Sequence, residues 1–131
     1  MKAIIAGLEL ELEERLISNR TPKEVESDVK AFLEGKKRGF TGYEFNLTDF
    51  TPFQRRVFKE MTRIPFGKTI AYKELAELVG RPKAFRAVAN ACGANPLPVI
   101  IPCHRVVASN GLGGYSSGIE IKKALLELEG S

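Results

Sequence analysis

The stretch "RPKAFRAVANACGANPLPVIIPCHRVV", Arg81 to Val107, combines a helical pattern with a proline-rich segment that ends near a cysteine–histidine pair. In its first half, Pro82 near the start and Gly93 at the end predict a helix over Pro82–Cys92. The preceding residues, "IAYKELAELVG", predict a shorter helix that ends at Gly80. Two short helices joined by a tight turn are typical of a helix-turn-helix, although such pairs also occur in many other helical proteins.

The two faces of the second helix differ in the size of their side chains. One face has the spacing of a buried apolar stripe and consists of Phe85, Val88, Ala89 and Cys92. The opposite face consists of Lys83, Arg86, Ala87, Asn90 and Ala91. Small side chains would let this face approach another surface closely and leave Arg86 to project from it. An alanine-rich helix of high intrinsic propensity has the same composition, so both interpretations stay open.

Basic residues are concentrated in the middle of the chain. The 131 residues have a formal net charge of +4. Residues 52–91 carry 9 Lys/Arg against 3 Asp/Glu, a net charge of +6, whereas residues 1–51 have a net charge of −2 and residues 92–131 of 0. A central basic block favours a polyanionic partner such as nucleic acid, although a solvated basic face is the more common cause.

The first fifty residues predict a short lobe with little apolar surface of its own. "LELELE", Leu8 to Glu13, alternates with period two and predicts a half-buried strand, and "YEFNL" predicts a second one. Between them, "TPKE" has a threonine N-cap, a proline and a capping-box glutamate, so a helix begins at Pro22 and ends near Gly35. We expect this lobe, residues 1–50, to pack on a second domain, residues 51–131.

The second domain is predicted to be mainly helical. The start signal recurs at "TPFQ", where Thr51 caps a helix that continues to about Arg63, and "IEIKKALLELEG" predicts a final helix. The expected fold class is therefore α+β, with a winged-helix-like domain preceded by a reduced α/β lobe.

Composition limits the class of protein further. No apolar run approaches the ~20 residues of a membrane-spanning helix, and the N-terminus becomes acidic too early for a secretory signal. Two cysteines and one histidine do not form the ligand cluster of a structural zinc site. We expect Cys92 and Cys103 to be free thiols in a reducing, cytoplasmic compartment, in a protein without metal.

Cys103 and His104 are the candidates for nucleophilic chemistry, since a thiol reacts as the thiolate and a nearby base assists its deprotonation. Successive side chains of an extended segment point opposite ways, so the pair needs a turn or a bridging water. A carboxylate would orient the imidazole, and the candidates are Glu120, Glu127 and Glu129. A buried cysteine beside a histidine that bonds to the backbone is the alternative.

The motif "IPCHRVV" resembles the active-site motif of the O6-alkylguanine-DNA alkyltransferases, the methylated-DNA–protein-cysteine methyltransferases. The blocks "FGKTIAYKELA", "RPKAFRAVANACGANPLP", "GGYSSG" and "LLELEG" follow the order of that family. The resemblance extends from about Phe53 to Gly130. It implies DNA repair by irreversible, stoichiometric transfer of the alkyl group from O6-alkylguanine to Cys103, with O4-alkylthymine as a second candidate substrate.

The resemblance also implies a role for each residue of the site. Cys103 would attack the alkyl carbon, His104 would act as a base through a water molecule, and Glu129 would hold the imidazole. Asn95 would order the turn before the thiol, and Tyr72 would donate a proton or hydrogen bond to the departing guanine. The pocket would be bordered by Tyr115, Ser116, Pro98 and Val106.

For double-stranded DNA, the resemblance implies a recognition helix in the minor groove. Its contacts would be Arg86, Lys83, Ala87, Asn90 and Ala91. Arg86 would fill the gap left by a nucleotide flipped into the pocket, because the O6 substituent cannot be reached inside the base stack. We expect a monomer without a cofactor or a membrane contact.

The lobe of residues 1–50 is shorter than the family's usual ribonuclease H-like lobe, so we expect a reduced sheet with one helix. Two other functions are weighed against repair. Alkyltransferase-like binding modules replace the cysteine, and the presence of Cys103 disfavours that function. A cysteine hydrolase could use Cys103, His104 and Glu129, but it would not explain the basic block or Arg86.

Overall fold

Two small sheets and five α-helices make up residues 1–130, the part of the chain that the computed structural model describes. The strands are β1 (Lys2–Ile5), β2 (Leu8–Glu11), β3 (Ile70–Ala71) and β4 (Val106–Val107). The helices are α1 (Pro22–Leu33), α2 (Pro52–Thr62), α3 (Tyr72–Leu78), α4 (Phe85–Gly93) and α5 (Ile119–Leu128), with one-turn 3₁₀-helices at Glu14–Leu16 and Cys103–Arg105. The α+β class is confirmed. None of these helices is long and apolar enough to span a bilayer.

The N-terminal residues form an antiparallel hairpin of β1 and β2. Ala6 and Gly7 have φ angles of 52° and 78°, as in a tight two-residue hairpin turn. β2 confirms the strand predicted from "LELELE", whereas β1 was not predicted. The prediction of a strand over "YEFNL" was wrong. That segment instead forms an isolated bridge, between Ile17 and Phe45, with two backbone hydrogen bonds. A strand needs a longer series of such bonds.

Helices α1 and α2 both begin at the predicted capping boxes. Thr21 Oγ1 accepts from the Glu24 N–H at 3.2 Å, and the Glu24 carboxylate accepts from the Thr21 N–H at 3.1 Å. The corresponding bonds between Thr51 and Gln54 are 3.1 and 2.9 Å. Each box satisfies two N–H groups that have no partner within the helix, which is why these two starts could be predicted.

Helix α4 begins at Phe85, three residues later than predicted. The Ala84 N–H donates to the Arg81 carbonyl at 2.9 Å, so Pro82 and Lys83 belong to a turn before the helix. Helix α3 packs against α4, and α2 packs against both.

The proline-rich segment after α4 is not extended, although its three prolines lead to the expectation of an extended backbone. The Ile101 N–H donates to the Leu97 carbonyl at 2.8 Å and closes a turn. Val99 within it has a φ of 77°, a left-handed conformation that is rare for a β-branched residue. Cys103 to Arg105 then form one 3₁₀ turn. Turns prevail here because the segment is buried and its N–H groups need partners.

Strands β3 and β4 pair in parallel, with Ile70 opposite Val106 and Ala71 opposite Val107. Because β3 leads directly into α3 and β4 follows the second 3₁₀-helix, this pairing brings Tyr72 near Cys103. Strands of two residues carry no periodic signal, and neither was predicted.

One cluster of buried apolar side chains runs through the first fifty residues and the rest of the chain. Leu10 and Phe32 in the first segment and Met61, Leu75 and Leu125 in the second are all 0% exposed. The hairpin and α1 are therefore stabilised by a core that they share with the later helices, in keeping with their small apolar surface.

We expect Thr51→Ala to lower the free energy of unfolding by about 1 kcal/mol, because it removes the oxygen that caps α2. Urea unfolding followed by circular dichroism measures the change. Thr69→Ala, at an exposed threonine just before β3, is the control. Equal unfolding free energies for the two variants would contradict a stabilising cap at Thr51.

Candidate active site

Cys103 is the first residue of its 3₁₀-helix and is 6% exposed. Burial raises the pKa of its thiol, while the side chains of Asn95 and Tyr115 and the charge of Lys122 oppose that rise. The thiol is therefore protonated at neutral pH, and it needs a base in order to react as a thiolate.

Asn95 lies in the turn that leads to the thiol, where the sequence predicted it. Its Nδ2 donates to the Ile101 carbonyl at 2.7 Å, and its Oδ1 accepts from the Leu97 N–H at 3.0 Å. One side chain thus joins both ends of the turn and also lies close enough to Cys103 to lower the thiol's pKa.

Glu129, the residue directly after α5, binds three groups from two other parts of the chain. Its Oε2 lies 2.7 Å from His104 Nε2, and the Arg105 guanidinium donates to both carboxylate oxygens at 2.8 to 3.1 Å. The Gly67 N–H donates to Oε1 at 3.1 Å. Burial alone would raise the pKa of Glu129, but the bonds from His104 and Arg105 lower the pKa to about 2. The carboxylate therefore stays ionised.

The two ring nitrogens of the buried His104 have different surroundings. Nε2 faces the Glu129 carboxylate, which only accepts hydrogen bonds, so we assign the ring proton to Nε2. Nδ1 is buried and has no hydrogen-bond partner among the described residues. Burial lowers the pKa of His104, although Glu129 opposes that change. A neutral imidazole with a free Nδ1 lone pair is suited to accept a proton.

The thiol borders a cavity of about 380 Å³ between α3, α4 and the loop before α5. Its lining residues are Tyr72, Ala89, Cys92, Gly93, Cys103, Gly114, Tyr115 and Ser116. Pro98 and Val106 were predicted to border the cavity, but they do not line it. Pro98 is buried in the turn before Ile101, and Val106 is buried in β4. A second cavity, of about 420 Å³, is lined without any thiol or carboxylate. The two cavities are similar in volume, so the thiol that lines the first one, and not its size, identifies it as the candidate site.

Two tyrosine side chains form part of the cavity wall. Burial raises the pKa of Tyr72 to about 12, and its hydroxyl donates to the Gly114 carbonyl at 3.3 Å. The Tyr115 hydroxyl is buried near Cys103 and has no well-formed hydrogen bond within residues 1–130, and burial, together with the negative charge of the Cys103 thiolate when it forms, raises the pKa of Tyr115. Gly113, at φ 73°, permits the loop before α5 to lie close to Tyr72, because a Cβ there would be 2.9 Å from the Tyr72 ring.

Lys122 on α5 is fully buried beside the site. Its Nζ donates to the carbonyls of Val106, at 2.7 Å, and Gly114, at 3.0 Å. It forms no ion pair with any carboxylate of residues 1–130. Burial lowers the pKa of Lys122, and the Cys103 thiol opposes that change. The lysine therefore joins β4 to the cavity loop and favours the thiolate.

Helix α4 exposes Arg86, Ala87 and Asn90, as predicted, and Lys83 is exposed in the turn before it. Two predictions for α4 were wrong. Ala91 is 3% exposed and belongs to the core, because α4 packs against two helices and buries a wide arc of its surface. Phe85 is 54% exposed, because the first residue of the helix lies beyond the packed part.

A family model described as "6-O-methylguanine DNA methyltransferase, DNA binding domain" matches residues 52–131. A methylated-DNA–protein-cysteine methyltransferase of Metallosphaera sedula is 43% identical over 91% of this chain and 74% of that protein. One of Methanosarcina barkeri is 44% identical over 82% of this chain and 67% of that protein.

Solved structures agree with these relatives. The crystal structure of Mycobacterium tuberculosis O6-methylguanine methyltransferase is 44% identical, with a TM-score of 0.74, and the match covers 80% of this chain. It covers 63% of that structure's chain, so the present chain spans less than two thirds of its length. A structure of the M. tuberculosis protein in complex with DNA has a TM-score of 0.75 at 41% identity, over 81% of this chain and 64% of that one. The chain belongs to the O6-methylguanine-DNA methyltransferase family.

Arg105 and Lys122 were not predicted as site residues, although the sequence pattern around each one indicates a buried charge. Arg105 stands in an otherwise apolar run beside His104, and Lys122 lies between Ile121 and Leu125 on the inner side of α5. A charged residue at a core position of an apolar pattern indicates a buried polar partner, since burial without one is costly.

We expect Lys122→Met to raise the apparent pKa of the Cys103 thiol, because it removes a buried positive charge that favours the thiolate. In a Cys92→Ser background, the rate of modification by a small disulfide reagent, measured against pH, should shift to higher pH and fall roughly tenfold at neutral pH. Lys123→Met, at the exposed neighbour, is the matched control. An unshifted profile in folded Lys122→Met protein would exclude this electrostatic role.

Proposed function

We propose that the chain repairs alkylated DNA by accepting the alkyl group of O6-alkylguanine on Cys103, once per molecule. One observation carries the proposal. A buried thiol borders a cavity next to a histidine whose Nδ1 is free and whose Nε2 is held by an ionised carboxylate. Membership of the family supports the same reaction.

In the proposed reaction, a water molecule bridges the thiol and His104 Nδ1. His104 takes a proton from this water, which takes the proton of Cys103. The thiolate attacks the alkyl carbon, so that an S–C bond forms as the C–O6 bond breaks and its electron pair goes to guanine. Glu129 stabilises the imidazolium that results. The thioether is not cleaved by water, so the protein is consumed.

The departing guanine carries negative charge, which a proton or hydrogen-bond donor has to compensate. We assign this donor to Tyr72, whose raised pKa keeps its hydroxyl protonated at neutral pH. Its present bond to Gly114 is 3.3 Å long and can be exchanged for one to the base. Tyr115 and Ser116 would border the base and reach its O6, and O4-alkylthymine would be a second substrate.

Duplex DNA is the proposed partner, with α4 in its minor groove. Arg86, Ala87 and Asn90 are exposed on a helix whose residues Ala89 and Cys92 line the cavity. Since a stacked base cannot reach a buried thiol, the nucleotide has to be extruded, and Arg86 would fill the space it leaves. Lys83 would contact a phosphate. The DNA complex of the M. tuberculosis relative supports this partner.

We further propose that the protein acts as a monomer in the cytoplasm. Both cysteines are free thiols, which suits a reducing compartment.

Alkyl transfer should depend on Cys103 alone. Burial raises the pKa of Cys92 to about 12, and no base lies next to Cys92 in sequence. After mixing with an oligonucleotide that contains O6-methylguanine, intact-mass spectrometry should show one added methyl group on the wild type and on Cys92→Ser. Cys103→Ser should gain none yet still bind the DNA. Peptide mapping that places the methyl group on Cys92 would overturn the assignment, and turnover without a mass gain would indicate a hydrolase.

Loss of Arg86 should affect the rate of methyl transfer from duplex DNA, whereas loss of Lys83 should affect the affinity for duplex DNA. Arg86→Ala should slow methyl transfer from duplex DNA at least tenfold more than transfer from the free O6-methylguanine base, because a free base leaves no gap to fill. Lys83→Ala should weaken duplex binding and reduce the salt slope by about one, equally for damaged and undamaged DNA. Equal slowing of both substrates by Arg86→Ala would make Arg86 a structural residue.

A further inference from the structure

The apolar stripe of α4 continues beyond the protein interior. Phe85, Ala89 and Cys92 have i, i+4, i+7 spacing and share one face of the helix. Ala89 and Cys92 line the cavity that contains Cys103, whereas Phe85, one turn towards the N-terminus, is 54% exposed. Two residues of the stripe therefore line the cavity, and the third, one turn nearer the N-terminus, is an exposed aromatic ring.

The surroundings of this ring are positively charged. The sequence has no Asp or Glu between Glu77 and Glu120, and Lys83 and Arg86 are both exposed beside Phe85. Such charge complements a polyanion, and a large exposed apolar ring favours a partner that also has flat apolar surfaces. Nucleic-acid bases combine the two properties, because each base offers a stacking face and each phosphate a negative charge.

We propose that Phe85 is an apolar wedge whose ring stacks on the base next to the nucleotide extruded into the cavity. This inference rests on the proposed repair function. Arg86 lies about 100° further round the helix, so the two side chains leave α4 in different directions. Arg86 would fill the vacated space, and Phe85 would contact the flanking base. An apolar side chain placed at a base step offsets part of the cost of unstacking.

The test compares duplex DNA containing O6-methylguanine with the free O6-methylguanine base under single-turnover conditions. Phe85→Ala should slow transfer from the duplex roughly tenfold, the order expected for the loss of one base–aromatic stack, and leave the free-base rate unchanged. Phe85→Tyr should restore most of the duplex rate because it keeps a ring. Ile4→Ala, at a residue 59% exposed on β1, is the matched control and should change neither rate.

Two further measurements separate stacking from charge. Because phenylalanine is uncharged, Phe85→Ala should leave the salt slope of duplex binding unchanged. In Cys103→Ser protein, which we expect to bind the DNA without reacting, the fluorescence of 2-aminopurine placed beside the lesion should change on binding. That change should be lost in the Cys103→Ser/Phe85→Ala double variant.

Three outcomes would overturn the proposal. Equal slowing of duplex and free base by Phe85→Ala would mean that the ring shapes the cavity mouth for the base itself. Unchanged rates on both substrates would mean that the ring has no part in transfer. Self-association of the wild type that Phe85→Ala abolishes would mean that the ring joins two copies of the chain. Failure of the repair function is distinguishable, since the wild type would then gain no methyl group from either substrate.

Discussion

The carboxylate of Glu129 is the group on which the site depends. It is buried at the end of α5 and binds the imidazole of His104, the guanidinium of Arg105 and the N–H of Gly67. A buried carboxylate is tolerated only when it is paired and hydrogen-bonded, so the turn before β3, the 3₁₀-helix and α5 have to assemble around it. Arg105 also donates to the Ile64 carbonyl at 2.7 Å, which connects the same cluster to the residues after α2.

The charged groups near the thiol differ in how their charges are balanced. On one side, Arg105 balances Glu129, so His104 stays neutral and its Nδ1 stays free to accept a proton. On the other side, Lys122 donates to two carbonyls and forms no ion pair within residues 1–130, so its charge acts on the cavity. Burial keeps the Cys103 thiol protonated until a base acts, while the lysine stabilises the thiolate once it forms. The Cys103 thiol is therefore protonated in the described structure, and its deprotonation depends on a base.

Under the proposed function, helix α4 would connect DNA recognition with chemistry. It is one short helix, yet its outer side exposes Arg86 and Asn90 while another side lines the cavity with Ala89 and Cys92. Under the proposed function, a nucleotide extruded beside this helix would have a short path to the thiol. The turn fixed by Asn95 follows α4 at once, so the position of the helix also sets the position of Cys103.

The sequence by itself determined the features that depend on local chemistry. The capping boxes at Thr21 and Thr51, the strand at Leu8 and the pair of Cys103 and His104 could be predicted, because neighbouring residues or a short motif specify them. Only the tertiary structure decided the β3–β4 pairing, the late start of α4 and the turns of the proline-rich segment. It also decided which carboxylate meets His104 and which nitrogen stays free, and it assigned Phe85 to solvent and Ala91 to the core. The physical reason is that burial and hydrogen-bond partners arise between residues distant in sequence, and no local pattern records them.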